Sequence, residues 1–278
     1  MQPVGFLNGF TLVFEDHFEG AALDAGAWGY REDGPNATLR SQQVIGNVSV
    51  SGGVGDSLLH LTQSKVGSDY FGGGIISTVV NYTYGFFEAR IKIASARGWH
   101  PAFWLVETAH VEALYLSEID IMENFAAELT TTHRFGAHVE TGTDVNGSFP
   151  VDLTDDFRVF GAWHLTDEVR FYLDGELIRR LPYTADESAD MNLILSTVSL
   201  EADTIFDEDL PVDMLVDWVR IYSVAGAGPT VATPVLKRRL PRGGSAKGAA
   251  LCQENIGLGR GGDLLGTGSA MLRAQLEK

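Results

Sequence analysis

Three acids fall within six residues in the stretch Ser117-Glu118-Ile119-Asp120-Ile121-Met122-Glu123-Asn124. In a β-strand successive side chains point to opposite faces, so Glu118 and Asp120 share one face while Ile119 and Ile121 take the other. Glu123 has the wrong parity to join them. One extra residue, a β-bulge at Ile121-Met122, would bring it back beside the other two acids. With four effective steps of about 3.3 Å, the Cα atoms of Glu118 and Glu123 then lie roughly 13 Å apart. Glu side chains converging from that spacing reach the approximately 5–5.5 Å carboxyl separation that suits direct attack on a sugar's anomeric carbon. Such chemistry needs two carboxyl groups in opposite protonation states at one pH. Three acids on one face repel one another, so one is expected to hold its proton above its intrinsic pKa. Asp120 can hydrogen-bond Glu118 and respond as that carboxylate is consumed. Taken alone, the octapeptide also reads as a half-buried strand with a solvated face.

The elements that must position these acids are strands. Short apolar-alternating runs rich in Val, Ile, Phe and Tyr recur at Thr11–Phe14, Val44–Val50, Leu58–Gln63, Gly85–Ile93, Glu118–Met122, Val169–Leu173, Leu193–Val198 and Leu215–Tyr222. Asp174-Gly175, between two such runs, is a two-residue hairpin signal. No amphipathic helix of about ten or more residues is expected in this region. Many strands joined by turn-rich loops read as a sandwich or barrel, so the chain is expected to be all-β.

The net charge is −17, and it is unevenly spread: residues 224–278 carry 8 Lys/Arg against 3 Asp/Glu, the first 223 residues 12 against 34. So acidic a body repels nucleic acid and anionic lipid surfaces, and argues against a highly sulfated substrate unless the cleft gathers cations of its own. No apolar run approaches the roughly 18–20 residues of a membrane span. The single cysteine, Cys252, allows no disulfide framework in the body, and the 7 histidines show no HExxH spacing. Met1-Gln2-Pro3-Val4 shows no basic segment followed by an apolar one. After Val224 the alternation stops, glycine rises and Lys237-Arg238-Arg239 appears. Residues 1–223 are therefore expected to form one domain, and 224–278 a dispensable, disordered appendage.

The carboxylate strand and its surroundings resemble glycoside hydrolase family 16, whose signature is Glu-x-Asp-x-x-Glu or the shorter Glu-x-Asp-x-Glu. Leu12-Val13-Phe14-Glu15-Asp16-His17-Phe18, followed by Leu23-Asp24 and Trp28, resembles the family's opening, and Gly46-Asn47-Val48-Ser49-Val50 its next strand. Tyr84 through Lys92, followed by His100-Pro101-Ala102-Phe103-Trp104-Leu105, is similar to its approach to the catalytic strand. Asp156-Phe157 through Asp174-Gly175, and Val216 through Tyr222, resemble its closing segments. Together these matches cover about residues 10–223 in the family's order.

The resemblance implies a β-jelly-roll sandwich of two curved antiparallel sheets with substrate in the concave cleft. It implies Glu118 as nucleophile, Glu123 as general acid/base and Asp120 as the assisting acid. It also implies Asn47 and Arg90 as donors to sugar hydroxyls, Trp104 as a platform and His138 as a neighbour of the acid/base. His100 stands where the family usually has Trp; Trp99 beside it would then compensate in the cleft. A structural calcium using Asp217 and backbone carbonyls is a further family expectation, and no cofactor is expected for catalysis. The protein is expected to act outside the cell as a monomer on a polysaccharide. The bulged signature occurs in members acting on β-1,3-glucan, agar and carrageenan, and the acidic body favours the neutral glucan. Hydrolysis of an agar-type galactan, transglycosylation, and a non-catalytic glucan-binding module are the alternatives.

Overall fold

The computed structural model describes residues 9–32, 41–53, 55–78, 83–93, 96–107, 117–125, 132–139, 145–148, 154, 156–183, 191–199 and 205–224. Among these, seventeen strands and two short 3-10 turns account for the regular structure. The strands are β1 Phe10–Asp16, β2 Trp28–Tyr30, β3 Ser41–Gln43, β4 Val48–Ser51, β5 Leu58–Val66 and β6 Asp69–Gly72. They continue as β7 Gly74–Ser77, β8 Gly85–Lys92, β9 Trp99–Glu107, β10 Ser117–Phe125, β11 Thr132–Val139 and β12 Val145–Ser148. The last are β13 Arg158–His164, β14 Glu168–Leu173, β15 Glu176–Pro182, β16 Met191–Ser199 and β17 Val212–Val224.

They form a 10-stranded sheet, β15-β14-β13-β8-β17-β5-β6-β3 with β1 on β17 and β4 on β5, and a 7-stranded sheet, β12-β11-β10-β9-β16-β7-β2. Every described pairing is antiparallel except β3 with β6. The two sheets enclose one core. Phe87, Ala89 and Ile91 of β8 and Val216, Val219 and Ile221 of β17 meet Phe103 and Leu105 of β9 and Leu193 and Leu195 of β16 within it. Alternation along each strand thus divides each sheet into a core face and an outer face. At the β14–β15 hairpin Asp174 and Gly175 both take positive φ, 50° and 84°, the backbone that a tight two-residue turn of this hand requires.

One expected strand is only partly a strand. Val44–Val50 begins as a 3-10 turn over Ile45–Asn47 and becomes extended at β4. The Val44 N–H donates to Gly72 O at 3.0 Å, and the Asn47 N–H closes the turn on Val44 O at 3.1 Å. Asn47 Nδ2 lies 2.8 Å from Thr62 O, 2.9 Å from Ser64 Oγ and 2.8 Å from Phe71 O. Long-range bonds of this kind override local strand propensity. At the other end, β17 runs through Val224, which pairs with Phe10, so the boundary drawn after residue 223 falls one residue inside the strand. Residues 225–278 lie outside the described residues.

The chain passes from the larger sheet to the smaller at Gly72-Gly73-Gly74, between β6 and β7. A Cβ on Gly72 would come 1.9 Å from Thr197 O, one on Gly73 2.4 Å from Asn47 O, and one on Gly74 3.0 Å from Gln43 Nε2. At Gly72 and Gly73 glycine is needed for close approach of backbones. Thr197 locks the crossing: its N–H donates to Gly73 O at 2.8 Å and its Oγ1 accepts from Gly73 N–H at 3.0 Å.

On the outer face of the larger sheet Phe86, Tyr172 and Tyr222 cluster, with Phe10 and Trp163 packed against them. Glu88 is buried on this face, and the Tyr222 hydroxyl donates to its Oε1 at 3.1 Å. Burial raises the Glu88 carboxyl above its ordinary value, against the opposing pull of the Tyr222 bond and the Arg220 charge. A carboxyl raised on folding favours the folded state while protonated, and that contribution is lost as pH climbs through the raised value. Glu88→Gln keeps an acceptor for Tyr222 and removes the charge. Its melting temperature should match wild type near pH 4 and exceed it by about 2–4 °C at neutral pH, as read by circular dichroism.

Candidate active site

The carboxylates reach one face through a register shift in β10. Against β9 the pairs run Glu118 with Val106, Ile119 with Leu105 and Asp120 with Trp104, then jump to Met122 with Phe103 and Glu123 with Ala102. Against β11 the same shift falls between Asp120, opposite Gly136, and Glu123, opposite Arg134. Ile121 is the residue left over, and the bulge lies where the parity argument put it. Ile119, Ile121 and Met122 all join the core between the sheets. Glu118, Asp120 and Glu123 stand on the other face, 2%, 2% and 5% exposed. Three carboxyl groups withdrawn from water are thus gathered on one face of a single strand.

Neighbouring strands complete the face. Ala102 and Trp104 of β9 and Ile194 of β16 form a small apolar cluster, with Ile76 and Val106 against it. The Trp104 Nε1–H donates to Ser196 Oγ at 3.1 Å, which fixes the plane of the indole. His100, two steps along β9 from Ala102, is also nearly buried, and its Nε2 lies 3.3 Å from Glu123 Oε1. Register sets His138 of β11 opposite Glu118. Arg31, just past β2, brings its guanidinium over the Trp104 ring, 4.8 Å from Cζ to the centroid. Its backbone N–H donates to Gly74 O at 2.9 Å, so the glycine crossing anchors the base of this side chain.

The chain from residue 39 to residue 219 matches the family model for glycosyl hydrolases family 16. This protein belongs to glycosyl hydrolase family 16. It is 27% identical over 245 residues to a beta-glucanase of Rhodothermus marinus, covering 77% of this chain and 85% of that one. It is 26% identical over 264 residues to beta-porphyranase E of Zobellia galactanivorans, covering 80% and 90%. Its fold is shared with the laminarinase from Rhodothermus marinus at a TM-score of 0.65 and 24% identity, over 77% of this chain and 98% of that chain. The endo-beta-1,3-glucanase from Pyrococcus furiosus superposes at 0.66 with 21% identity, over 77% and 95%. The protein is thus a glycoside hydrolase with the family's jelly-roll, and hydrolysis in this family calls for no catalytic cofactor.

Not every residue expected at a family 16 cleft stands there. Trp99 is 1% exposed and belongs to the core, because alternation along β9 sends it inward with Phe103 and Leu105. Only His100 of that pair lies beside the acids. Arg90 projects from the outer face of the larger sheet, where its Nη1 donates to Asp217 Oδ2 at 2.5 Å and its guanidinium covers Phe157 at 4.4 Å. The parity of β8, with Phe87, Ala89 and Ile91 in the core, requires that placement. Asn47 spends its amide nitrogen on protein oxygens rather than offering it to a sugar. Asp217, the carboxylate expected for a structural calcium, pairs here with the guanidinium of Arg90. Trp104 does lie on the carboxylate face, but Arg31 covers its ring.

Arg31 and Ser196 were not foreseen. Nothing in the local pattern marks either; they reach the site only because β2, β7 and β16 are carried to β9 by the fold. The Arg31 guanidinium and the Trp104 indole together form a cation–aromatic pair on the carboxylate face. Arg31→Met should raise KM on the cleaved polysaccharide by about tenfold while kcat stays within about twofold, the signature of lost uniform binding in steady-state kinetics.

Proposed function

We propose that this protein is a retaining endo-hydrolase of β-1,3-glucan, with Glu118 as nucleophile, Glu123 as general acid/base and Asp120 as the acid that assists Glu118. The single observation that carries the reading is the bulge at Ile121, which brings three nearly buried carboxyl groups to one face of β10. In the first half-reaction a Glu118 oxygen bonds to the anomeric carbon as the glycosidic C–O bond breaks. Glu123 gives its proton to the departing oxygen. In the second, Glu123, now a carboxylate, takes a proton from water. The resulting hydroxyl attacks the same carbon and expels Glu118, so two inversions restore the β configuration. A sugar hydroxyl in place of water would give transglycosylation. Asp120, between the two glutamates in β10, tempers the change in charge as Glu118 goes from carboxylate to ester and back.

The neutral glucan is favoured by the net charge of −17 and by relatives named for β-glucan hydrolysis, such as the glucan endo-1,3-beta-glucosidase A1 of Niallia circulans, 24% identical over 260 residues. A galactan of the agar type is the second reading, favoured by the likeness to beta-porphyranase E. A non-catalytic glucan-binding role is disfavoured because such a module has no need of three buried acids. The natural setting of this activity is extracellular, with the body from β1 to β17 acting as a monomer and residues 225–278 as an appendage. Among the described residues no helix is long and apolar enough to cross a membrane.

Reducing-sugar release on laminarin, lichenan, agarose and carrageenan, run side by side, tests the substrate. Laminarin should be preferred, and Glu118→Gln should lose at least about 1000-fold in kcat while still folding; release from agarose alone would replace the glucan by a galactan. With Glu123→Ala, azide should restore part of the activity and yield a β-glycosyl azide, identified by NMR. An α-azide would exchange the roles of the two glutamates.

A further inference from the structure

His100 occupies a position that the acids make consequential. The chain turns at Gly98, with φ of 70°, and enters β9 with Trp99 sunk in the core. That anchor fixes the parity, so His100 must face the carboxylates, and its backbone is held opposite Val198 of β16. The imidazole is 11% exposed and its Nε2 is 3.3 Å from Oε1 of Glu123, itself 7% exposed. On β10 the neighbouring titratable groups are Glu118 and Asp120, and along the β11 backbone register sets Arg134 opposite Glu123 and His138 opposite Glu118. On the other flank β16 offers Ser196, Thr197 and Val198, none of which titrates.

We propose that His100 is a positioning residue for Glu123, donating from Nε2–H to Oε1 so that Oε2 alone carries the proton exchanged with substrate and water. This rests on the reading of Glu123 as acid/base. The work of His100 is uneven across the cycle. When Glu123 is a carboxylic acid, the contact selects which oxygen bears the proton. When it is a carboxylate facing the glycosyl-enzyme, the same N–H is a charge-assisted donor to Oε1 and leaves Oε2 free to accept from water. No proton passes through the imidazole. The Oε2–H bond broken in the first half-reaction is remade in the second. A tryptophan at this position could cover a sugar but would bring its only donor, the indole N–H, on a much larger ring.

The inference predicts a pattern that a merely structural histidine would not produce. His100→Phe should lower kcat/KM on laminarin by about tenfold, the scale of an imperfectly aimed general acid. On a 2,4-dinitrophenyl β-glucoside oligomer, whose leaving group needs no proton, kcat/KM should stay within about twofold. There kcat and KM should fall together, because the glycosyl-enzyme waits for its base. His100→Gln, whose amide can donate from a similar place, should recover most of the loss on laminarin. Melting temperatures of both variants accompany the kinetics. Equal losses of kcat/KM on both substrates, no loss on laminarin, or a glutamine variant no better than phenylalanine would overturn the role of His100. Wild-type protein that cleaves neither substrate would instead overturn the glucan reading, and a Glu118→Gln variant that cleaves as well as wild type the assignment of the two glutamates on which the inference stands.

Discussion

The site depends on a single unpaired residue. Ile121 has no partner in the ladder with β9, and by that one step β10 keeps Ile119, Ile121 and Met122 in the core while all three acids leave it. Without the extra residue Glu123 would be a buried charge among leucines and phenylalanines, at a cost of several kcal/mol. Met122 would be stranded on the carboxylate face. The apolar core on one side and the hydrogen-bonded ladders on the other therefore enforce the bulge from both directions. The catalytic geometry is in this sense a by-product of satisfying the hydrophobic side of the strand.

The outer faces of the two sheets have divergent chemistry built on the same alternation. On the smaller sheet the outer side of β10, β9 and β16 carries acids, a histidine and a tryptophan beneath an arginine. On the larger sheet the equivalent positions of β8 and β17 carry Glu88, Arg90, Asp217, Arg220 and Tyr222, tied to one another across strands. Arg220 also reaches Glu15 of β1, with Nε 2.7 Å from Oε1, which draws the Glu15 carboxyl below its ordinary value despite the opposing effect of burial.

What could be read without the fold follows from period two. The alternating runs of β5, β8, β14 and β16, the Asp174-Gly175 hairpin and the three acids of β10 are local patterns, and each was legible from residue order alone. The carboxylate parity even located the bulge. Facing was harder: alternation tells that Trp99 and His100 differ, but which of them meets the core is decided by Phe103 and Leu105 joining Leu193 and Leu195. Arg90 had a strand but no sheet, since its placement depends on β8 pairing with β13 and β17 in the larger layer. The Val44–Val50 run misled because Asn47 is held by residues 15 to 24 positions away. Arg31 belongs to the same class, visible only once β2 is laid beside β7.

The glycine crossing at Gly72-Gly73-Gly74 has a consequence for how this cleft can change. Gly72 and Gly73 admit only glycine because backbone from β16 and from the turn before β4 closes on them, while Gly74 packs against the Gln43 side chain. The end of the cleft marked by Arg31 is thereby riveted to the larger sheet. Variation in what the protein recognises is channelled accordingly. New specificities can be written into the side chain at position 31. The seam itself is closed to experiment by mutation and to drift alike.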